Sequence, residues 1–327
     1  INMNNLISEQ VHNHVEDEID LRELFNATWE KKFYIAAIAS IFFLISVVYA
    51  LMLPNIYRSV AFLAPVEGES QMAGMLGEYS GMANLAGIAL PSSSATKSQE
   101  AIARIQSFDF FSNHFLPSIQ LEDLLAVTKW NRAGNNLAYD KSEFNSESRQ
   151  WVRKVSLPKL TIPSSQEAYE EYQEIMRISV DKKTTYASLS VEHESPYIAQ
   201  QWVELILHKI DRLMRDQEKL EATNSIEYLN TLAPTINYEG IKNAFSSLQQ
   251  EQMKRLMMVE ANENYIFKLL DSPIVPEKKS GPRRGLIVII ASLIGIMLGV
   301  LSVLALHFFH KPSKKNEPSS HEDHYKD

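Results

Sequence analysis

Two long uncharged runs restrict this chain more than any other feature. Residues 33–53 (FYIAAIASIFFLISVVYALML) carry no charge, and in residues 286–309 (LIVIIASLIGIMLGVLSVLALHFF) the one ionisable group is His307, close to the end. Each run meets the ~20 apolar residues that cross ~30 Å of hydrocarbon. The first is longer than the apolar core of a cleavable leader, follows a polar stretch, and lacks a suitably placed small-x-small pattern. The chain therefore reads as a membrane protein with two spans.

The spans divide it into a tail (1–32), a first transmembrane helix (33–53), a hydrophilic block (54–284), a second transmembrane helix (285–309) and a second tail (310–327). Two crossings put both termini on one side and the block on the other. Basic residues near the spans are almost balanced. The terminal side has Arg22, Lys31, Lys32, Lys311, Lys314 and Lys315, and the block side has Arg58, Lys278, Lys279, Arg283 and Arg284. Long domains translocate largely regardless of charge, and the first span usually dominates orientation. Lys31 and Lys32 precede that span and only Arg58 follows it, which predicts cytoplasmic termini and an external block, periplasmic in a Gram-negative cell.

The block reads as α+β. YRSVAFLAPV, from Tyr57, is rich in strand formers. Residues 71–94 are apolar and glycine-rich without a period, and read as a loop with at most short helical turns, either covered by a partner or folded over its own domain. Ile102, Ile105, Phe108, Phe111 and Phe115 keep helical spacing across 98–115, and 167–176 is a short amphipathic helix. Ile178 and Val180 alternate with polar residues, as do Ala187, Leu189 and Val191, predicting two antiparallel strands joined by a turn. A last strand near 265–270 would return the chain towards the second span, so the small sheet should take strands from both ends of the block.

From Pro196 the pattern changes. Ser195 suits an N-cap and Pro196 the first helical position. No glycine or proline then occurs before Pro234. This predicts a helix over about 196–232, ~54 Å long at 1.5 Å per residue, which should project from a domain of ~17 Å radius of gyration. A return helix over about 241–264 would complete a long helical hairpin on a small α/β base. Val203, Ile206, Ile210, Leu213, Gln217, Leu220 and Asn224 form a stripe that reads as a seam with other copies of the chain, its polar members bonding across it.

The chemistry expected of this chain is non-catalytic. It lacks a G-x-x-x-x-G-K-[ST] loop, a G-x-S-x-G elbow and an H-E-x-x-H helix, so no catalytic, cofactor-binding or metal site is predicted. His321 and His324 in the terminal tail read as solvated, as do Glu170 and Glu171; Glu192-His193-Glu194 reads as capping and solubility. A net charge of −8 gives no nucleic-acid footprint, and zero cysteines exclude disulfides and thiolate metal sites. In the second span, Ala291, Gly295 and Gly299 form a small-residue ladder suited to close packing against the first span or another copy. Pro273, Pro276 and Pro282, with Lys278, Arg283 and Arg284, read as a stiff basic connector ahead of that span. Its cations suit lipid headgroups, the pyrophosphate of a lipid-linked glycan, or plain anchoring at a span end.

An ordered set of these features resembles the chain-length determinant (Wzz) family of polysaccharide co-polymerases. The set comprises DEIDLREL (17–24), VDKKTTYASLSVEHESP leading into the long helix, the proline-rich basic segment, and Gly295 with Gly299. The resemblance implies an inner-membrane protein of a Gram-negative bacterium, multi-pass, whose periplasmic domains assemble into a homo-oligomeric ring. It implies a non-catalytic role setting the modal length of a polysaccharide, most often lipopolysaccharide O-antigen, made by an integral-membrane polymerase from lipid-linked units. The short stretch after the second span fits the kinase-free class. The competing readings are a membrane-anchored coiled-coil scaffold, or a co-polymerase for another glycan such as enterobacterial common antigen or capsule.

Overall fold

The structure, a computed structural model, describes residues 28–66, 97–232, 234, 239–262 and 264–310. The loop expected over 71–94, the DEIDLREL stretch and His321 and His324 lie outside the described residues. The chain forms two compact units, one of residues 54–282 and one holding both apolar runs. The first run is helix α1 (Lys32–Met52).

In the 54–282 unit, β1 (Tyr57–Pro65) buries Ser59, Ala61 and Leu63 and exposes Arg58, Val60 and Phe62, as the two-residue period of a strand requires. Helix α2 (Lys97–Ile105) follows. The helix expected over 98–115 is interrupted at Ser107, whose Oγ accepts the Phe110 N–H at 3.2 Å and restarts the coil. A serine cap placed between two apolar helical repeats leaves the period intact, so the period alone does not reveal the break. The coil continues through Phe108–Phe110, a π-type turn Phe111–Phe115 and a 3-10 turn Leu116–Ser118.

Next come α3 (Leu121–Leu125), β2 (Val127–Asn131), β3 (Asn136–Tyr139), β4 (Phe144–Asn145) and β5 (Gln150–Trp151). Helix α4 (Ser165–Ile175) starts two residues before the expected position, because Ser164 and Glu167 form a reciprocal capping box. Strands β6 (Met176–Val180) and β7 (Ala187–His193) pair antiparallel with Ile178 opposite Leu189. Helix α5 (Pro196–Leu232) is followed by α6 (Glu239–Ala261) and β8 (Phe267–Asp271). The four-stranded sheet has the order β6-β7-β1-β8. Tyr57 lies opposite His193 and Leu63 opposite Leu269, so strands from both ends of the block are neighbours.

The core lies between this sheet and α5. Ala199, Trp202, Val203, Ile206, Ile210 and Met214 are buried, facing a sheet that supplies Ala61, Leu63, Leu189 and Val191. An aromatic cluster closes one side. Tyr172 lies 4.9 Å from Phe111 and 5.1 Å from Phe115 between ring centroids, and Phe115 meets Trp202 edge-on at 5.8 Å. The Tyr172 hydroxyl donates to the Ile105 carbonyl at 2.9 Å, which satisfies this buried polar atom.

This arrangement corrects the expected seam. Val203, Ile206 and Ile210 have no solvent exposure within this single chain, so they cover the chain's own sheet and cannot face a neighbour. Leu213 and Gln217 are half-buried, while Leu220 and Asn224 are exposed. The Gln217 amide donates to Glu221 one turn along the same helix, at 3.1 Å.

Helices α5 and α6 run antiparallel: Lys219 pairs with Glu260, and the Gln249 amide donates to Asn230 at 2.9 Å. Asp211 fastens the return of the chain. Its Oδ1 accepts the backbone N–H groups of Tyr265 and Ile266 at 2.9 and 3.2 Å. Its Oδ2 accepts from Arg215 Nε at 2.6 Å, and Arg215 Nη1 donates to the Val259 carbonyl at 2.8 Å. α6 thus stops at Ala261, short of the expected 264, where the chain turns into β8. The second apolar run forms α7 (Arg284–His310).

Candidate functional site

The small-residue ladder of α7 packs on α1. A Cβ built on Gly295 would lie 2.8 Å from Phe42 Cβ and 3.2 Å from Ala39 Cα; one on Gly299 would lie 3.1 Å from Ile35 Cγ2 and 3.2 Å from its Cα. Rising numbers on α7 meet falling numbers on α1, so the two helices are antiparallel. Ala291 is half-buried and Val303 fully buried on the same four-residue period, opposite a face of α1 that includes Ser46 and Ala50. The hydroxyls of Ser46, Ser292 and Ser302 each donate to a carbonyl of their own helix, so these three serines are satisfied in an apolar setting. Gly295→Leu is expected to cost about 1–3 kcal/mol of span-pair stability, because backbone as well as side chain stands in the way. Thermal melting of the full chain in detergent micelles checks this, and a melting temperature equal to the parent's would exclude close packing as the reason for the glycine.

The proline connector is sutured to the start of the domain. Pro273 is buried and its carbonyl accepts from the Gln200 amide at 3.3 Å; the Ile274 carbonyl accepts from Ser59 Oγ at 2.8 Å. Pro276 and Pro282 are half-buried. Further on, the Ser280 N–H donates to the Ile56 carbonyl at 2.8 Å and the Ile56 N–H to the Gly281 carbonyl at 3.0 Å. The cations differ in their surroundings. Lys278 and Arg283 are exposed. Lys279 Nζ reaches Asn55 Oδ1 at 3.2 Å, and Arg284 Nη2 donates to the Leu53 carbonyl at 2.8 Å.

Among the described residues, the clefts on the 54–282 unit include a larger and a smaller one. The larger, about 830 Å³, runs beside an exposed four-residue row of α5, Glu204, His208, Arg212 and Asp216, and is closed by Asn262 and Asn264. Its size falls within the range of small-ligand sites, and its carboxylates, guanidinium and amides suit a hydroxyl-rich ligand.

The smaller, about 520 Å³, is lined by Glu171, Glu174, Arg177, Glu194 and Leu124, with His193 at its floor. His193 is 4% exposed. Its Nδ1 accepts the Ser195 N–H at 2.8 Å and its Nε2 faces the Asp123 carbonyl at 2.9 Å, which assigns the proton to Nε2. Its ring meets Trp202 edge-on at 5.0 Å. Burial pulls this histidine from 6.5 down to about 4, against the opposing effect of the two backbone hydrogen bonds. Burial also raises Glu171 and Glu194, with Glu174 adding repulsion at the first and Glu171 at the second. The reading of Glu171 as solvated, and the solubility part of the reading of Glu192-His193-Glu194, are therefore corrected, while the capping part agrees with the Ser195 N–H donating to His193, which locks α3 to the start of α5. Among the described residues, no group of three or more His, Cys, Asp or Glu side chains is placed to hold a metal ion.

Residues 17–112 match the model of a family described as chain length determinant protein, Wzz. No curated protein matches the chain. Among solved structures, a full-length bacterial polysaccharide co-polymerase is similar over 90% of this chain and 100% of its own, at 15% identity and a TM-score of 0.39. A fragment of WzzB, a polysaccharide co-polymerase from Salmonella Typhimurium, is similar over 70% of this chain and 100% of its own, at 14% identity and a TM-score of 0.28.

Proposed function

We propose that this chain is a polysaccharide co-polymerase, which sets the modal length of a surface polysaccharide without catalysing its synthesis. The observation that carries the reading is the family match over 17–112. That single stretch runs from the acidic tail through α1, β1 and α2 into the aromatic core of the domain. Two further features support it: both apolar runs are long enough to cross a bilayer, and α1 and α7 are antiparallel, so the 54–282 unit is inserted between two crossings.

In this reading the termini are cytoplasmic, the 54–282 unit lies in the periplasm of a Gram-negative cell, and copies associate as a ring. The partner is an integral-membrane polymerase that extends a lipid-linked glycan, most often O-antigen. The α5–α6 hairpin projects from the base, and its polar cleft offers Glu204, Arg212, Asn262 and Asn264 to passing sugar hydroxyls. Length would then follow from how much glycan the surface retains. The span pair, in turn, would dock the polymerase.

Deleting the gene in its host and resolving the surface polysaccharide on a gel tests the proposal. The expected result is loss of the preferred band cluster and its return when this chain is supplied; an unchanged ladder would sink the O-antigen reading. Substitutions over 197–263 would shift the restored cluster if glycan retention sets length, whereas those over 273–305 would dominate if the polymerase contact does.

A further inference from the structure

Between β5 and α4 the chain runs for twelve residues, VRKVSLPKLTIP (152–163), outside any helix or strand. Its aliphatic side chains are exposed, while Pro163 at its end is buried. Leu157 is 85% exposed, Ile162 64% and Leu160 60%, with Val152 and Val155 also exposed. A loop of this composition normally buries its aliphatic residues or lacks them. Here one internal side chain fixes the display. Arg153 Nε and Nη2 donate to the Leu160 carbonyl at 3.1 and 2.6 Å, and Nε also reaches the Thr161 carbonyl at 3.0 Å. Nη1 and Nη2 complete a bidentate pair with Glu167 at 2.7 and 3.0 Å. The Arg153 side chain is only 9% exposed, so the segment is wound about a guanidinium core with its apolar tips outside.

The charge pattern indicates what the tips meet. Residues 152–166 contain no acidic side chain, and the nearest, Glu167, is already paired with Arg153. Lys154 is exposed, and Lys159, 58% exposed, lies 3.8 Å from the same Glu167. Leucine and isoleucine at the tips, lysines beside them and Trp151 at the base match the chemistry of a bilayer interface: apolar tips at the acyl boundary, ammonium groups at the phosphates. The domain is also joined at both ends to apolar helices long enough to span a membrane, which raises the local concentration of lipid surface around it.

We propose that residues 152–163 are a membrane-docking loop, seating Leu157, Leu160 and Ile162 in the leaflet beside which the domain lies. The proposal is independent of the polysaccharide reading and needs only that α1 and α7 cross the bilayer.

The absence of cysteine from the chain makes the test direct. Single cysteines replacing Leu157, Leu160, Thr223 on exposed α5, or Leu293 on α7 are labelled with an environment-sensitive fluorophore. The full chain is then reconstituted in nanodiscs whose lipids carry brominated acyl chains. The label at 293 reports that the spans are inserted. Given that, bromine quenching at 157 and 160 but not at 223 is the expected result. Lys154→Gln and Lys159→Gln should each lower the docked-to-undocked ratio about fivefold in anionic discs, at low salt, and much less in zwitterionic ones. A water-like, unquenched label at 157 and 160 overturns the proposal. So does shielding without bromine quenching, which would identify another copy of the chain as the cover.

Discussion

Phe115→Ala is expected to remove about 3–5 kcal/mol from the stability of the 54–282 unit. The ring is fully buried, packs on Phe111 and Tyr172, and meets Trp202 edge-on, so truncation empties a volume enclosed by three other rings. Little can collapse into that space, because Tyr172 is held by the Ile105 carbonyl and Trp202 by the helix that covers the sheet. Trp202 also makes the change visible, since its emission reports on the site itself. Urea unfolding of the full chain in detergent should show a lower midpoint with an unchanged slope. Phe115→Leu should lie between the two. An unmoved midpoint would mean that the aromatic cluster does not hold the domain together.

The second large effect depends on pH. His193 is neutral in the folded domain down to about 4, whereas an unfolded histidine takes a proton near 6.5. Between these values the unfolded chain binds more protons, so stability is complete above about 6.5 and falls as pH drops towards 4. A shift of this size corresponds to about 3 kcal/mol. Glu171 and Glu194, whose carboxyls are raised by burial, act in the opposite sense and gain stability as they protonate. The histidine is therefore isolated by difference. His193→Asn keeps an acceptor for the Ser195 N–H and removes the titration. The parent should lose its advantage over this variant as pH falls from 6.5 to 4, and a constant difference across that window would exclude His193 as the cause.

Much of the framework was legible because it rests on periods. Uncharged runs of membrane length, the alternation around Ile178 and Leu189, and the Ser195-Pro196 start of α5 each express one local rule. The stripe on α5 was legible as a buried face, yet its partner was not. Periodicity says that Val203, Ile206 and Ile210 need cover and is silent on whether a second chain or the domain's own sheet supplies it. The small strands β2 to β5 are two to five residues long, too short for a period to emerge, and Trp130 and Trp151 stand there without a repeat. Arg153 gave no local signal, since its partners lie 7 to 14 residues away. His193 misled for a related reason. Flanked by two glutamates it resembles a solvated run, and only the register that sets it opposite Tyr57 and under Trp202 turns it inward. Ser164 and Glu167 were readable as a capping pair, and that signal would have placed the start of α4 correctly.

The pairing of Ile56 with Gly281 has a consequence for how the chain reaches its folded state. It brings together positions separated by nearly the whole domain, and in a free chain such an encounter is opposed by the conformational freedom of everything between. The glycine-lined contact of α1 with α7 makes that meeting beforehand, if the apolar helices associate first in the bilayer. The span pair then acts as a reversible cross-link around a loop of roughly 230 residues, and in the chain-entropy picture such a closure is worth about 5 kcal/mol. A domain cut free at residues 54 and 282 would forfeit that contribution. Loosening the helices at Gly295 would pass part of the same loss to a sheet that the glycine never touches.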